Sequence, residues 1–135
     1  MHPVLEPYVF KRGSLSVRNR TVLAAMTNKQ SHDNGVLSED EIAWLEARSE
    51  GGFGIITTAA THVEEDGQGW EGEFGTWSDE HLEGLTRLAT TIHQHGGVGL
   101  AQLFHGGMRA PERLTGLQPK SASENELGNG LGQSR

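Results

Sequence analysis

Two apolar runs, Gly54–Ala60 and Val98–Phe104, set the tightest limit on what this chain can fold into. Neither alternates polar with apolar residues, so each reads as a strand covered on both faces. A third compact run, Thr21–Met26, begins with a β-branched residue and reads as a buried strand. Helical segments separate the three. Ser38-Glu39-Asp40-Glu41 has the form of a capping box, a hydroxyl N-cap with a carboxylate three residues on to reach back. The helix it opens continues to about Glu50, where Gly51-Gly52 ends it. Ser78 caps the next helix, whose Leu82, Leu85, Leu88, Ala89 and Ile92 recur at helical spacing, and Gly96-Gly97 stops it. The order β-α-β-α-β implies parallel strands joined by right-handed crossovers. It establishes an α/β class and leaves open whether the sheet is doubly wound or the start of a barrel.

Composition excludes several functions. Eleven basic residues against eighteen acidic ones give a formal charge of -7, which argues against nucleic acid and against anionic lipid as partners. With no cysteine, disulfides and thiolate metal sites are excluded within the chain. No signal core and no stretch approaching the ~20 apolar residues of a membrane span is present, so a cytoplasmic protein is the expectation. Residues 1–18 read as an irregular lead-in with short extended pieces. Residues 121–135 read as a flexible Gly/Ser/Asn segment.

Several motifs carry little chemistry. Gly67-Gln68-Gly69-Trp70-Glu71-Gly72 matches G-x-G-x-x-G, but it does not join a strand end to a helix N-terminus, and it reads as a chance match in a glycine-rich chain. The seven histidines form no metal-ligand pattern, and no metal site is assigned. Glu39–Glu41 reads as a cap and Glu64–Asp66 as part of a solvated loop. The strand ends differ. Gln102 interrupts an otherwise apolar strand, and a buried amide without partners costs a few kcal/mol. It either meets backbone groups or a ligand edge that both donates and accepts. Small residues at Ala59 and Ala60 either admit a flat ring or fill a tight packing layer. Thr27, taken alone, favours a local backbone hydrogen bond.

The chain resembles the Old Yellow Enzyme family of flavin-dependent ene-reductases. The resemblance rests on Asn19-Arg20, Met26-Thr27 at a strand end, Arg48 with Gly51-Gly52-Phe53-Gly54, Trp77-Ser78-Asp79-Glu80-His81, and Gln102-Leu103 with His105-Gly106-Gly107. It implies the first three βα units of a (β/α)8 TIM barrel, incomplete at 135 residues because such a barrel typically needs ~250. It also implies FMN as cofactor and NADH or NADPH as reductant, with a small-molecule activated alkene of the enone type as substrate. The residues it brings to the flavin are Ala25, Met26 and Thr27 after the first strand, Ala60 lining the ring, and Gln102 on the pyrimidine side. It implies that His105 orders the loop above the site.

Ala25 stands where the family has proline before the methionine, which removes a rigid kink. The residues that hold the substrate carbonyl, the tyrosine proton donor and the phosphate-binding loops lie on later strands of the family, so no catalytic residue is assigned. The expectation is an N-terminal portion that needs a complementary barrel chain or fragment and is inactive alone. A cut after Arg135 would explain such a piece. A homo-oligomer stays open. The rival reading is a truncated, non-catalytic βα module that works only by pairing with a complementary chain.

Overall fold

The computed structural model describes residues 2–127 and 132–134. Three parallel strands form its centre: β3 (Val22–Leu23), β4 (Ile55–His62) and β5 (Val98–Phe104), in the order β3-β4-β5. Before them lies an antiparallel pair, β1 (Tyr8–Val9) and β2 (Ser16–Val17), which are the extended pieces of the lead-in. Two helices, α1 (Glu39–Glu50) and α2 (Leu82–Gln94), make the crossovers, and a single turn, α3 (Glu112–Thr115), follows β5. The flexible segment expected over 121–135 lies partly outside the described residues. Within it, β6 (Asn125–Leu127) pairs antiparallel with β7 (Gly132–Ser134). No helix among the described residues is long and apolar enough to cross a membrane.

The first strand is shorter than its apolar run suggests. Only Val22 and Leu23 have ladder partners, Ile55 and Ile56. Further along β4 that flank is occupied by the loop after it: His62 N–H donates to the Phe74 carbonyl at 3.1 Å, and Thr76 N–H to the His62 carbonyl at 2.9 Å. Ala24–Met26, which would continue opposite Thr57–Ala59, have no ladder partners and leave the sheet before that point. The second strand runs two residues past Ala60, to His62, because this loop and Phe104 both pair with its end.

The register between β4 and β5 shifts once. Ile55, Ile56 and Thr57 sit opposite Val98, Gly99 and Leu100, whereas Ala60, Thr61 and His62 sit opposite Gln102, Leu103 and Phe104. One extra residue in β4 is a β-bulge. The Thr58 hydroxyl accepts the Gln102 N–H at 3.1 Å and donates to the Ala59 carbonyl at 2.7 Å, so a side chain meets a donor that the interrupted ladder leaves open.

The apolar core lies between the sheet and the two helices: Leu23, Leu37, Ile42, Leu45, Ile56, Ala59, Phe74, Leu88 and Ile92. Leu82 and Ala89, expected on the apolar face of α2, are exposed. The buried stripe is Leu88 and Ile92 with Leu85 half-covered, and the other two fall at its margin. Ser38 caps α1 as expected, its hydroxyl accepting from Glu41 N–H at 3.1 Å. The reciprocal arm of the capping box is not made. The Glu41 carboxylate is fully buried and accepts instead from the Ser31 hydroxyl, and burial pushes its pKa up.

One side chain joins the lower ends of these elements. Arg18 donates to the carbonyl of Ser49 in α1, to that of His95 just after α2, and twice to that of Phe53, through Nη2 at 2.7 Å and Nε at 3.2 Å. A planar fork thus gathers carbonyls at the ends of two helices and at the start of the segment leading to β4. Asn19 does the same locally, donating to Gly52 O at 2.7 Å and accepting from Thr21 N–H at 3.0 Å. Truncating Arg18 to Ala is expected to cost about 2–4 kcal/mol, since charged hydrogen bonds contribute ~1.5–3 kcal/mol each and do not add fully. Arg18→Lys should recover only part of it. Urea midpoints of the three proteins check this, and an unchanged midpoint in the alanine variant would refute the role.

A second core, polar, lies under the loop after β4. His62 and Glu73 are each 2% exposed, with Nδ1 and Oε2 3.9 Å apart. Burial, with the nearby His81 second, lowers the His62 pKa to about 4, while burial raises Glu73 to about 7 against the Gly69 N–H it accepts. Ionising Glu73 therefore costs stability in full above pH 7 and not at all below 4.5, its ordinary value. Glu73→Gln should match the wild type below pH 4.5 and exceed it by about 1–3 kcal/mol at pH 8. Urea denaturation across that range is the check; a pH-independent difference between the two proteins would show that the carboxyl is not the source.

Candidate functional site

In parallel α/β folds the chemistry gathers at the carboxyl ends of the strands. Here those ends carry Ala25, Met26 and Thr27 beyond β3, Ala60 near the end of β4 and Gln102 near the end of β5. The bulge brings Ala60 and Gln102 into direct register. Thr27 lies four residues beyond Leu23, as Ala60 lies four beyond the Leu23 partner Ile56. Ala60 is buried, Ala25 half-buried, and Met26, Thr27 and Gln102 are exposed. The register joins Ala60 to Gln102; Ala25–Thr27 share the same end of the sheet without a ladder bond among the described residues.

Two of these residues have polar groups without an internal use. Among the described residues, neither the Gln102 amide nor the Thr27 hydroxyl has a hydrogen-bond partner, although the backbone N–H of Gln102 is satisfied by Thr58. Gln102 can thus offer a donor and an acceptor beside the small Ala60 side chain. That arrangement fits the edge of a flat heterocycle with carbonyl and imino groups, such as an isoalloxazine. The donor and acceptor that Gln102 offers therefore fit FMN in chemistry.

The loop from β4 to α2 is solvated at Glu64 and Glu65, as the sequence suggests, but not at Asp66. Asp66 is buried, and its Oδ2 lies 2.8 Å from the Lys120 ammonium. Burial alone would raise its pKa, but Lys120 and His105 outweigh that and hold it below the ordinary carboxylate value. Glu64, Asp66 and His105 place ligand-type atoms within 4.8 Å of one another, and the Lys120 ammonium supplies the positive charge there. Sequence reasoning missed this grouping, because Lys120 and His105 reach it from two other segments. The glycines of the G-x-G-x-x-G match have packing roles. A Cβ at Gly67 would meet the His105 ring at 2.8 Å, and one at Gly69 the Phe104 ring at 3.0 Å. Gly72, with φ +75°, lies against the Lys29 backbone, which a Cβ would meet at 2.6 Å. The match is thus a loop folded tightly onto the end of β5.

Known proteins agree with this architecture. The sequence matches the model of the NADH:flavin oxidoreductase / NADH oxidase family over residues 4–134. It is 32% identical over 128 residues to a probable NADH-dependent flavin oxidoreductase, YqiG, of Bacillus subtilis, covering 95% of this chain and 34% of that protein. It is 31% identical over 118 residues to 12-oxophytodienoate reductase 2 of Arabidopsis thaliana, covering 87% and 30% respectively. Among solved structures, the old yellow enzyme homologue of Zymomonas mobilis superposes with a TM-score of 0.79 at 28% identity, over 91% of this chain and 34% of that one. The chain thus spans about a third of the length of these relatives, and its three parallel strands correspond to part of their barrel. Sheet, helices and sequence together place this chain in the NADH:flavin oxidoreductase / NADH oxidase family, the family of the old yellow enzymes.

Proposed function

We propose that this chain supplies the first three strands of an FMN-dependent oxidoreductase barrel, and that Ala25, Met26, Thr27, Ala60 and Gln102 hold the flavin. The observation that carries the reading is the free Gln102 amide set beside Ala60 at the carboxyl end of a parallel sheet. The chemistry supplied by bound FMN is a hydride relay from NADH or NADPH to an activated C=C bond, such as that of an enone. The residues of this chain bind and orient. Gln102 donates and accepts at the polar edge of the ring, Thr27 offers a hydroxyl from the neighbouring strand end, and Ala60 leaves the ring room to approach. Met26 and Ala25 provide apolar cover against water. No residue of this chain is assigned to proton transfer. Completion of the barrel falls to further residues, in the same or a complementary polypeptide, since three strands cannot close one.

Denaturing mass spectrometry of natively purified protein tests the whole reading. Release of FMN from a species containing the remaining barrel residues is the expected result. A folded chain with neither flavin nor barrel-completing residues would overturn it in favour of a non-catalytic pairing module. Within the flavin-loaded protein, Gln102→Leu should weaken FMN binding roughly tenfold, the equivalent of one or two lost hydrogen bonds at ~1 kcal/mol. Flavin fluorescence titration reads this directly, and an unchanged Kd would remove Gln102 from the site.

A further inference from the structure

The exits of β4 and β5 carry Ala60 and Gln102, so whatever fixes one exit against the other fixes their separation. Two backbone bonds run between these exits: Val63 N–H to the Phe104 carbonyl at 3.1 Å, and Gly106 N–H to the Gly67 carbonyl at 2.7 Å. His105 sits between them with its ring against Gly67. Its Nδ1 accepts the Gly107 N–H at 2.9 Å, which leaves the ring proton on Nε2. That Nε2 faces Asp66 Oδ1 at 3.4 Å and Glu64 Oε2 at 3.7 Å. Asp66 is 4% exposed, and its Oδ1 has no hydrogen-bond partner among the described residues, His105 Nε2 being the polar group that faces it, while Oδ2 takes the Lys120 ammonium. The Lys120 ammonium matches this charge, and an unmatched buried charge costs several kcal/mol.

We propose that Asp66 is a positioning residue. It clasps the end of β5 through the close approach of Oδ1 to His105 Nε2, 3.4 Å, and the segment at Lys120 through its second oxygen, and so holds Gln102 at a fixed setting against Ala60. The clasp joins three separate segments of the chain at one buried carboxylate. Its consequence for the cofactor rests on the FMN reading; the clasp itself does not.

Amide hydrogen exchange on Asp66→Asn, His105→Phe and His105→Gln tests it. His105→Phe keeps a ring on Gly67 and loses the donor, whereas His105→Gln restores an N–H near the Nε2 position. Exchange at Gly106 and Gly107 should quicken tenfold or more in Asp66→Asn and in His105→Phe, and return toward wild type in His105→Gln. Ile56 and Leu45, in the apolar core, should exchange as in wild type. Equal acceleration at Ile56 and Leu45 would make Asp66 a general stability residue and overturn the proposal, as would unchanged exchange at Gly106. Flavin titration of the assembled protein separates the two readings. Weaker FMN binding in Asp66→Asn and in His105→Phe, recovered in His105→Gln, is expected. Unchanged affinity would overturn the link to Gln102. A wild type that binds no FMN would overturn the flavin reading and leave the exchange result to decide the clasp.

Discussion

One extra residue in β4 decides which side chains meet at the end of the sheet. Without the bulge, the pairing of Thr57 with Leu100 would continue and put Ala59, a core residue, opposite Gln102. A one-residue slip turns a strand over. With the bulge, Ala59 stays among the apolar core residues and Ala60 comes beside the amide. The Thr58 hydroxyl makes this affordable by accepting the Gln102 N–H. Sequence alone does not reveal the bulge, because Thr57-Thr58-Ala59-Ala60 is uniformly small and carries no glycine to mark the irregularity. Yet Thr58 is the residue type that can replace a missing ladder acceptor with its side chain.

The buried polar groups divide in a similar way between what is local and what is not. Ser38 and Ser78 are local caps, each accepting an N–H two or three residues on, and the sequence reveals both. Glu41 satisfies the same local pattern on paper. Its carboxylate turns inward because Ser31, ten residues earlier, offers a hydroxyl in the interior. Asp66, His62, Glu73 and His81 look like parts of an acidic, glycine-rich loop. They are buried because that loop closes over the end of β4, with Gly67 and Gly75 admitting histidine rings that a Cβ would meet at 2.8 Å. Neither periodicity nor propensity records such closure, since it depends on contacts between separate segments of the chain.

The strands and helices were legible for the opposite reason. Apolar runs without alternation are the trace of the parallel strands, though only β4 is covered on both faces and β5 is exposed from Gly99 to Leu103, and the two glycine pairs mark where helices give way to strands. The first run misleads in length alone. Val22 and Leu23 have ladder partners, while Ala24–Met26 have none, and the returning loop takes the same flank of β4 further on, at His62. The candidate flavin residues are legible by resemblance, and Gln102 also by its polarity in an apolar strand. The residues that set its position are not, because Asp66 and Lys120 acquire meaning only after the fold has brought them together.

β5 is apolar along most of its length, yet Leu100 is 53% and Leu103 67% exposed, one on each face. An apolar parallel strand is stable when both faces are covered. Its inner face would be covered by further strands and bound ligand, its outer face by a further helix. The same strand end presents Gln102. On the flavin reading, the surface that completes the barrel and the surface that receives the cofactor therefore adjoin on one strand. Barrel closure and flavin binding would then stabilise each other, each covering apolar surface that the other leaves at its border. The clasp at Asp66 serves both, because a β5 end held against β4 offers one shape to whatever covers it.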